Sequence, residues 1–271
     1  MNVDASYFRK NKWLYHFTSF NIAKAIIRDK NLKYSMLRRT NDVCEYAKTI
    51  YNEYFPDSRD SVIEDIEREI YLYRQISLSE DKLVFGRKGF DLQQMWGLYA
   101  DNGYGVCLVF DKDEIIGSLP EGCVHGAVNY ETDLTPYTMT SVRYNKDVQH
   151  YIKDNIKTIF FNKRKEWEHE QEYRILKRFN GNECEQYLSF NNSLKYVILQ
   201  NSRTINANDS ILNSCEYICL RHLLPKDVHV LVYNPFVNRQ SLLCYDYGND
   251  GTELWNSDED YSQLTDIDTN H

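Results

Sequence analysis

Apolar and polar positions change period several times along the chain, and each change marks an element. Residues 13–17, "WLYHF", predict a short strand. Thr18 or Ser19 then caps a helix whose Ile22, Ala23, Ile26 and Ile27 recur at helical spacing and which stops near Asn31. Ser61 and Glu64 fit a capping box for a helix with Ile63, Ile66 and Ile70 on one face. "QISLSED" reads as a strand, "LQQMWGLYA" as a helix, "DNGYG" as a turn and "VCLVFD" as an apolar strand. "HGAVNYETD" reads as one further strand and "PYTMTSVRYN" as an exposed connection. Val148, Ile152, Ile156 and Ile159 predict a single helix running up to "FNKRKEWEHEQ". "EYRILKRF" and "LKYVILQ" follow as strands, 206–221 as a helix and "VHVLVYN" as the last strand.

Strands and helices interleave without the regular beat of a doubly wound sheet, so the expected class is α+β. With five prolines, 11 glycines and no linker-like stretch, residues 1–248 are expected to form a single domain. The acidic, turn-rich segment 249–271 is expected to be a partly disordered tail, solvated rather than docked on a basic partner.

Composition narrows the chemistry. Aromatic residues make up 14% of the chain and tyrosines number 22, a supply of rings that pack and hydrogen-bond at once. A net charge of −8 removes the basic footprint that non-specific phosphate-backbone binding requires. The seven cysteines are scattered, with no CxxC pair, and Cys215 and Cys219 read as small buried side chains rather than ligands, so no metal is expected. A polar N-terminus and the lack of any apolar run of spanning length point to a cytoplasmic protein with no membrane partner.

No GxxxxGK[ST], GxGxxG or GxSxG occurs. Three other places set polar groups in apolar surroundings. "LYHFTS" puts His16 inside a strand, where taken alone it reads as a satisfied core or surface residue. "MWGLYADNGYGVCLVFD" puts Trp96 and Tyr99 on one helix face, either buried on the sheet or offered as a ring platform. "KRKEWEHEQEYRILKRF" alternates Glu170, Glu172 and Arg174 at the mouth of a strand, so that all three side chains would point one way, as a solvated edge or as a ligand site.

Taken in order, Leu14–Ser19, Asn41-Asp42 with Glu45, "SLSED" at 77–81, Met95–Asp111, and Lys163 with Trp167, Glu170, Glu172 and Arg174 resemble a bacterial family of unknown function, DUF2971, over roughly residues 13–235. Val43 stands where that family usually has proline, and Tyr104 where a histidine or polar residue is frequent. The order of the motifs is in turn similar to the His-Tyr-Glu group of ADP-ribosyltransferases. That similarity implies a split mixed β-sheet with surrounding helices, and NAD or a related nucleotide as substrate, without a metal. By resemblance, His16 would bond the ribose and adenosine side of NAD, and Tyr99 would stack on the nicotinamide. Glu172 would bind the ribose hydroxyl and stabilise the oxocarbenium-like charge, while Glu170 would orient an acceptor or act as its base. Arg174 would keep these carboxylates ionised, and Thr18, Ser79 and Trp96 would line the pocket.

The reading is an NAD-consuming enzyme that transfers ADP-ribose to a protein or nucleic-acid acceptor or hydrolyses NAD, in a toxin or antiphage role. The alternative is a non-catalytic nucleotide or nucleic-acid binding module with an aromatic cleft. A third is a metal-independent hydrolase using Glu170 and Glu172 as acid and base.

Overall fold

The computed structural model describes residues 7–8, 12–37, 59–81, 88–132, 145–180, 186–200, 215–235, 241–244 and 252–256. The expected motif residues Asn41, Asp42, Val43 and Glu45 and the connection "PYTMTSVRY" lie outside them. Numbered along the chain, the first elements are β1 (Trp13–Thr18), α1 (Phe20–Asp29), β2 (Asn31–Lys33), β3 (Ser35–Met36), α2 (Arg59–Ile70), β4 (Tyr73–Glu80), α3 (Gln93–Tyr99), β5 (Val106–Asp111) and α4 (Lys112–Gly117). Next come β6 (Cys123–Ala127), β7 (Asn129–Glu131), α5 (Asn145–Asp154), α6 (Ile156–Phe160), β8 (Asn162–Arg164) and β9 (Glu172–Arg178). The last are β10 (Tyr187–Ser189), β11 (Leu194–Gln200), α7 (Cys215–Leu223), β12 (His229–Asn234), β13 (Ser241–Cys244) and β14 (Thr252–Asn256). The class is α+β with a mixed sheet, as the pattern predicts. The chain alternates between two compact units, the first drawn from residues 1–32, 78–119 and 189–271 and the second from 33–77 and 120–188.

In the first unit the strand order is β14-β13-β12-β11-β5-β1, with the end of β4 beside β1 at Leu14↔Glu80 and Tyr15↔Ser79. β11 and β12 run parallel and their neighbours antiparallel. Residues paired across strands share a face, so Tyr15, Val109 and Tyr196 stand in one row and Phe17, Cys107 and Ile198 in the next. This face is covered by Phe8, Phe90, Leu92, Met95 and Trp96 in one aromatic-rich core. The other face carries Leu14, Leu108, Phe110 and Val197, all buried, with α1 packed on it through Ala23 and Ile27. Burial on both sides is why "VCLVFD" and "YVILQ" are near-continuous apolar runs. Helix α1 begins where the Ser19 hydroxyl accepts the Ile22 N–H at 3.4 Å and ends at Lys30 in the left-handed region, its N–H returned to the Ile26 carbonyl.

The second unit pairs β3 with the start of β4, and its sheet runs β4-β9-β6, with β7 and β8 as a separate parallel pair. Ile66 and Ile70 of α2, Val148 and Ile152 of α5, and Ile159 and Phe160 of α6 pack with Tyr73 and Leu176 in its core. Glu69 fastens these layers, accepting from Arg178 on β9 and from Gln149 on α5.

Four local expectations change. Helix α2 starts at Arg59, so Ser61 lies inside it rather than at its cap. The single helix expected over 148–159 breaks at Asn155, whose side-chain amide takes the Tyr151 carbonyl at 2.8 Å. "HGAVNYE" is two strands, because the ladder with β9 ends at Val128, whose N–H still meets the Glu172 carbonyl, and the Asn129 N–H turns to the Phe161 carbonyl. Thr252–Asn256, in the segment expected to be turn-rich, pairs with β13. Among the described residues no helix is long and apolar enough to cross a membrane.

Two glycines close to α3 give a paired stability test. A Cβ on Gly105 would sit 2.3 Å from the Thr18 carbonyl oxygen and 2.8 Å from Ala100 backbone atoms, whereas one on Gly97 meets nothing within 4 Å. Gly105→Ala is expected to destabilise the protein by about 2–3 kcal/mol in urea unfolding, through overpacking against backbone that cannot yield. Gly97→Ala, inside a helix, is expected to stabilise it by roughly 0.5–1 kcal/mol.

Candidate functional site

The first unit holds the earlier members of the expected site. Alternation along β1 sets His16 with Leu14 and Thr18, on the face turned away from Tyr15 and Phe17. His16 is half-buried opposite Leu108, and Thr18 is buried opposite Val106. Tyr99 packs, half-buried, against the aromatic core on the Phe17 side, so this unit does not gather His16 and Tyr99 on one face of its sheet. Trp96 is 1% exposed, edge-on to Phe17 at 5.2 Å, and donates its indole N–H to the Phe90 carbonyl at 2.8 Å. Its ring and its donor are both spent inside the core. Ser79 is buried opposite Tyr15, on the side away from His16.

The second unit concentrates charge. Arg174, with no exposed surface, donates from Nε to Glu172 Oε1 at 2.8 Å and from Nη2 to Oε2 at 2.6 Å, while its Nη1 donates to the Phe160 carbonyl. Lys163 donates to Glu170 Oε2 at 2.5 Å, lies 3.6 Å from Glu172 Oε2 and sits 4.9 Å from the Trp167 ring centroid. Both glutamates are 4% exposed and Lys163 is 3% exposed. The Glu172 backbone N–H is received by the Tyr130 hydroxyl at 2.8 Å, and the Ser77 hydroxyl donates to the Glu172 carboxylate. Lys163 and Arg174 thus stand against Glu170 and Glu172 as a buried network in which the formal charges balance.

Local geometry explains the clustering, and it corrects one expectation. Glu170 is not on the strand: it ends a 3-10 helix over Lys165–Glu170, and Gln171, left-handed at φ 45°, carries the chain into β9 at Glu172. Strand alternation therefore aligns Glu172 with Arg174 only. Glu170 reaches them through Lys163, which the resemblance placed in the motif and to which the sequence assigned no role. The sequence singles out Ser79 and not Ser77; both lie on one face of β4, but Ser77 is the one on Glu172.

His169 and Gln171 were also missed. His169 Nδ1 lies 3.0 Å from the Glu166 carbonyl, which can only accept, so Nδ1 is the donor of that contact. Nε2 is shut off from solvent without a partner, and so is Gln171 Oε1. Two polar atoms flanking Glu170 and Glu172 in sequence are thus buried without a hydrogen-bond partner. Nothing in the spacing of a single histidine and glutamine announces this; it arises from the 3-10 turn.

The environment sets the ionisation. Burial alone would raise the Glu172 carboxyl, but the Arg174 guanidinium and its hydrogen bonds, the Lys163 ammonium and the Ser77 hydroxyl hold it at about 2. Burial and the nearby Glu172 charge push the Tyr130 phenol well above its ordinary value, keeping it neutral as a hydrogen-bonding group. Glu172 is therefore a fixed anion throughout the physiological range.

Residues 95–175 match the profile of the family described as a protein of unknown function, DUF2971, which takes in α3, β5 and the Lys163–Arg174 motif. No curated protein and no solved structure matches the chain.

Two outcomes test the network. The Glu172 carboxyl titrates near 4.5 in the unfolded chain and near 2 in the folded one, so the unfolded state binds more protons between these values. Its stabilising contribution is complete above pH 4.5 and is lost as pH falls toward 2; urea midpoints measured across this window should drop less steeply in Glu172→Gln. Arg174→Met, which strands a buried carboxylate, is expected to cost about 3–5 kcal/mol, and Glu172→Leu/Arg174→Met to cost markedly less.

Proposed function

We propose that the chain is an NAD-consuming enzyme of the ADP-ribosyltransferase kind, cleaving the nicotinamide–ribose bond and passing ADP-ribose to a macromolecular acceptor or to water. The observation that carries this reading is Glu172, a strand-borne carboxylate kept ionised by Arg174 and Lys163 in a buried charge network. A fixed anion in such surroundings is what an oxocarbenium-like ribose requires, because its field is not screened and needs no reorganisation as positive charge develops. Both Glu172 oxygens are held by Arg174, so its part is electrostatic unless that fork is exchanged for the ribose hydroxyl. Tyr99, the half-buried ring next to the aromatic core, is proposed to stack on nicotinamide, whereas His16 and Thr18, turned to the other face of β1, are given no part. His169 Nε2 and Gln171 Oε1, each buried without a hydrogen-bond partner, are proposed to meet polar groups of an incoming acceptor.

A second reading, nucleotide binding without turnover, draws on one feature: each Glu172 oxygen already has a guanidinium partner, as in a network whose work is to hold the unit together. The aromatic-cleft form of that reading loses support from Trp96, Trp13 and Tyr233, which are buried in the core rather than displayed.

Nicotinamide release from NAD, followed by chromatography with cell extract as the source of acceptors, separates the readings. Wild type is expected to release nicotinamide above the buffer rate, and Glu172→Gln, checked for folding by circular dichroism, to lose about 100-fold or more. Tyr99→Ala should lose activity with its fold intact. Saturable NAD binding in calorimetry with no release by wild type would favour the second reading, and neither binding nor release would overturn both.

A further inference from the structure

Within the second unit, Arg68, Arg164, Arg174 and Arg178 each have a carboxylate partner. Arg74 does not. Its Nε and Nη1 are closed to solvent and have no hydrogen-bond partner. The guanidinium carbon lies 5.9 Å from the centroid of the Phe179 ring, and the Lys177 ammonium lies 5.1 Å from the same centroid. Met36 stands opposite Arg74 across the β3–β4 pair, and Tyr34 meets Phe179 edge-on at 5.3 Å. The Tyr34 hydroxyl in turn faces the Cys123 sulfur at 3.5 Å.

This place is separate from the Glu172 network. Along β4 Tyr73, Gln75 and Ser77 share one face, with Tyr73 in the unit's helical core and Ser77 on Glu172. Arg74 points to the opposite face, as does Lys177 relative to Arg174, Leu176 and Arg178 on β9. Two cations drawn to one ring gain cation–π attraction but repel each other, and shielded guanidinium N–H groups without an acceptor cost free energy. An oxyanion answers both costs, since it accepts from the flat guanidinium in directed bonds and neutralises the ammonium beside it.

We infer that Arg74 and Lys177, seated on Phe179, form a binding site for an oxyanion, a phosphoryl or carboxylate group of a small ligand. The site does not depend on the NAD reading, because it lies on the other face of the sheet from Glu172.

Thermal unfolding of the full chain in inorganic phosphate, in acetate and in chloride at matched ionic strength tests this. Phosphate or acetate at tens of millimolar should raise the wild-type midpoint by about 2–4 °C above chloride, as mass action requires of a ligand that binds only the folded state. The anion that acts identifies the group. Arg74→Met should abolish the shift, and in chloride its midpoint should be no lower than that of wild type, because the change removes an unsatisfied charge. Lys177→Met should also weaken the shift, and it serves as the readout if Arg74→Met does not fold. Arg68→Gln, an exposed pair elsewhere in the unit, should leave the shift intact. Shifts no larger than in chloride, or equal in wild type and both methionine variants, would overturn the site.

Discussion

Arg174 carries its charge to a position with no exposed surface, and much of the second unit answers the cost of putting it there. An uncompensated guanidinium so placed would forfeit several kcal/mol of solvation. Glu172 takes its fork, the Phe160 carbonyl takes Nη1, and Lys163 brings Glu170 into the same group. These partners come from α6, β8, the 3-10 turn and β9, so one buried ion fixes the relative placement of four elements that follow one another along the chain. The helical core of isoleucines around Phe160 and Leu176 then closes over it.

The strands and helices that carry strong apolar periodicity were legible in the sequence. "WLYHFT", "VCLVFD", "YVILQ" and "HVLVYN" are strands because each has a buried row on one or both sides. What periodicity could not see was local competition for backbone groups. Asn155 ends a helix that its isoleucines would have continued, and Asn129 leaves the β9 ladder for the Phe161 carbonyl. Short strands such as Asn31–Lys33 and Ser241–Cys244 hold too few residues to show a period of two.

The candidate site was legible by residue type and less so by geometry. Glu172 and Arg174 are two apart on a strand and do meet, as alternation requires. Glu170 reaches them only because Gln171 is left-handed, a conformation unusual for glutamine. Lys163, Ser77 and His169 complete the surroundings, and none is marked by a motif that states its role. Trp96 looked like a platform because it shares a helix with Tyr99, but its indole N–H is tied to Phe90 within the core.

The functional reading turns on whether Glu172 remains an anion when every neighbour that solvates it is protein. ¹³C NMR of protein labelled at the glutamate carboxyl carbon, assigned by comparison with Glu172→Gln, follows that group directly as pH is lowered. Its resonance is expected to keep the ionised chemical shift through pH 4.5 and to move only as the pH approaches 2. A midpoint at or above the ordinary 4.5 would mean that burial outweighs Arg174 and Lys163, and would remove the fixed anion from which the proposed chemistry is built.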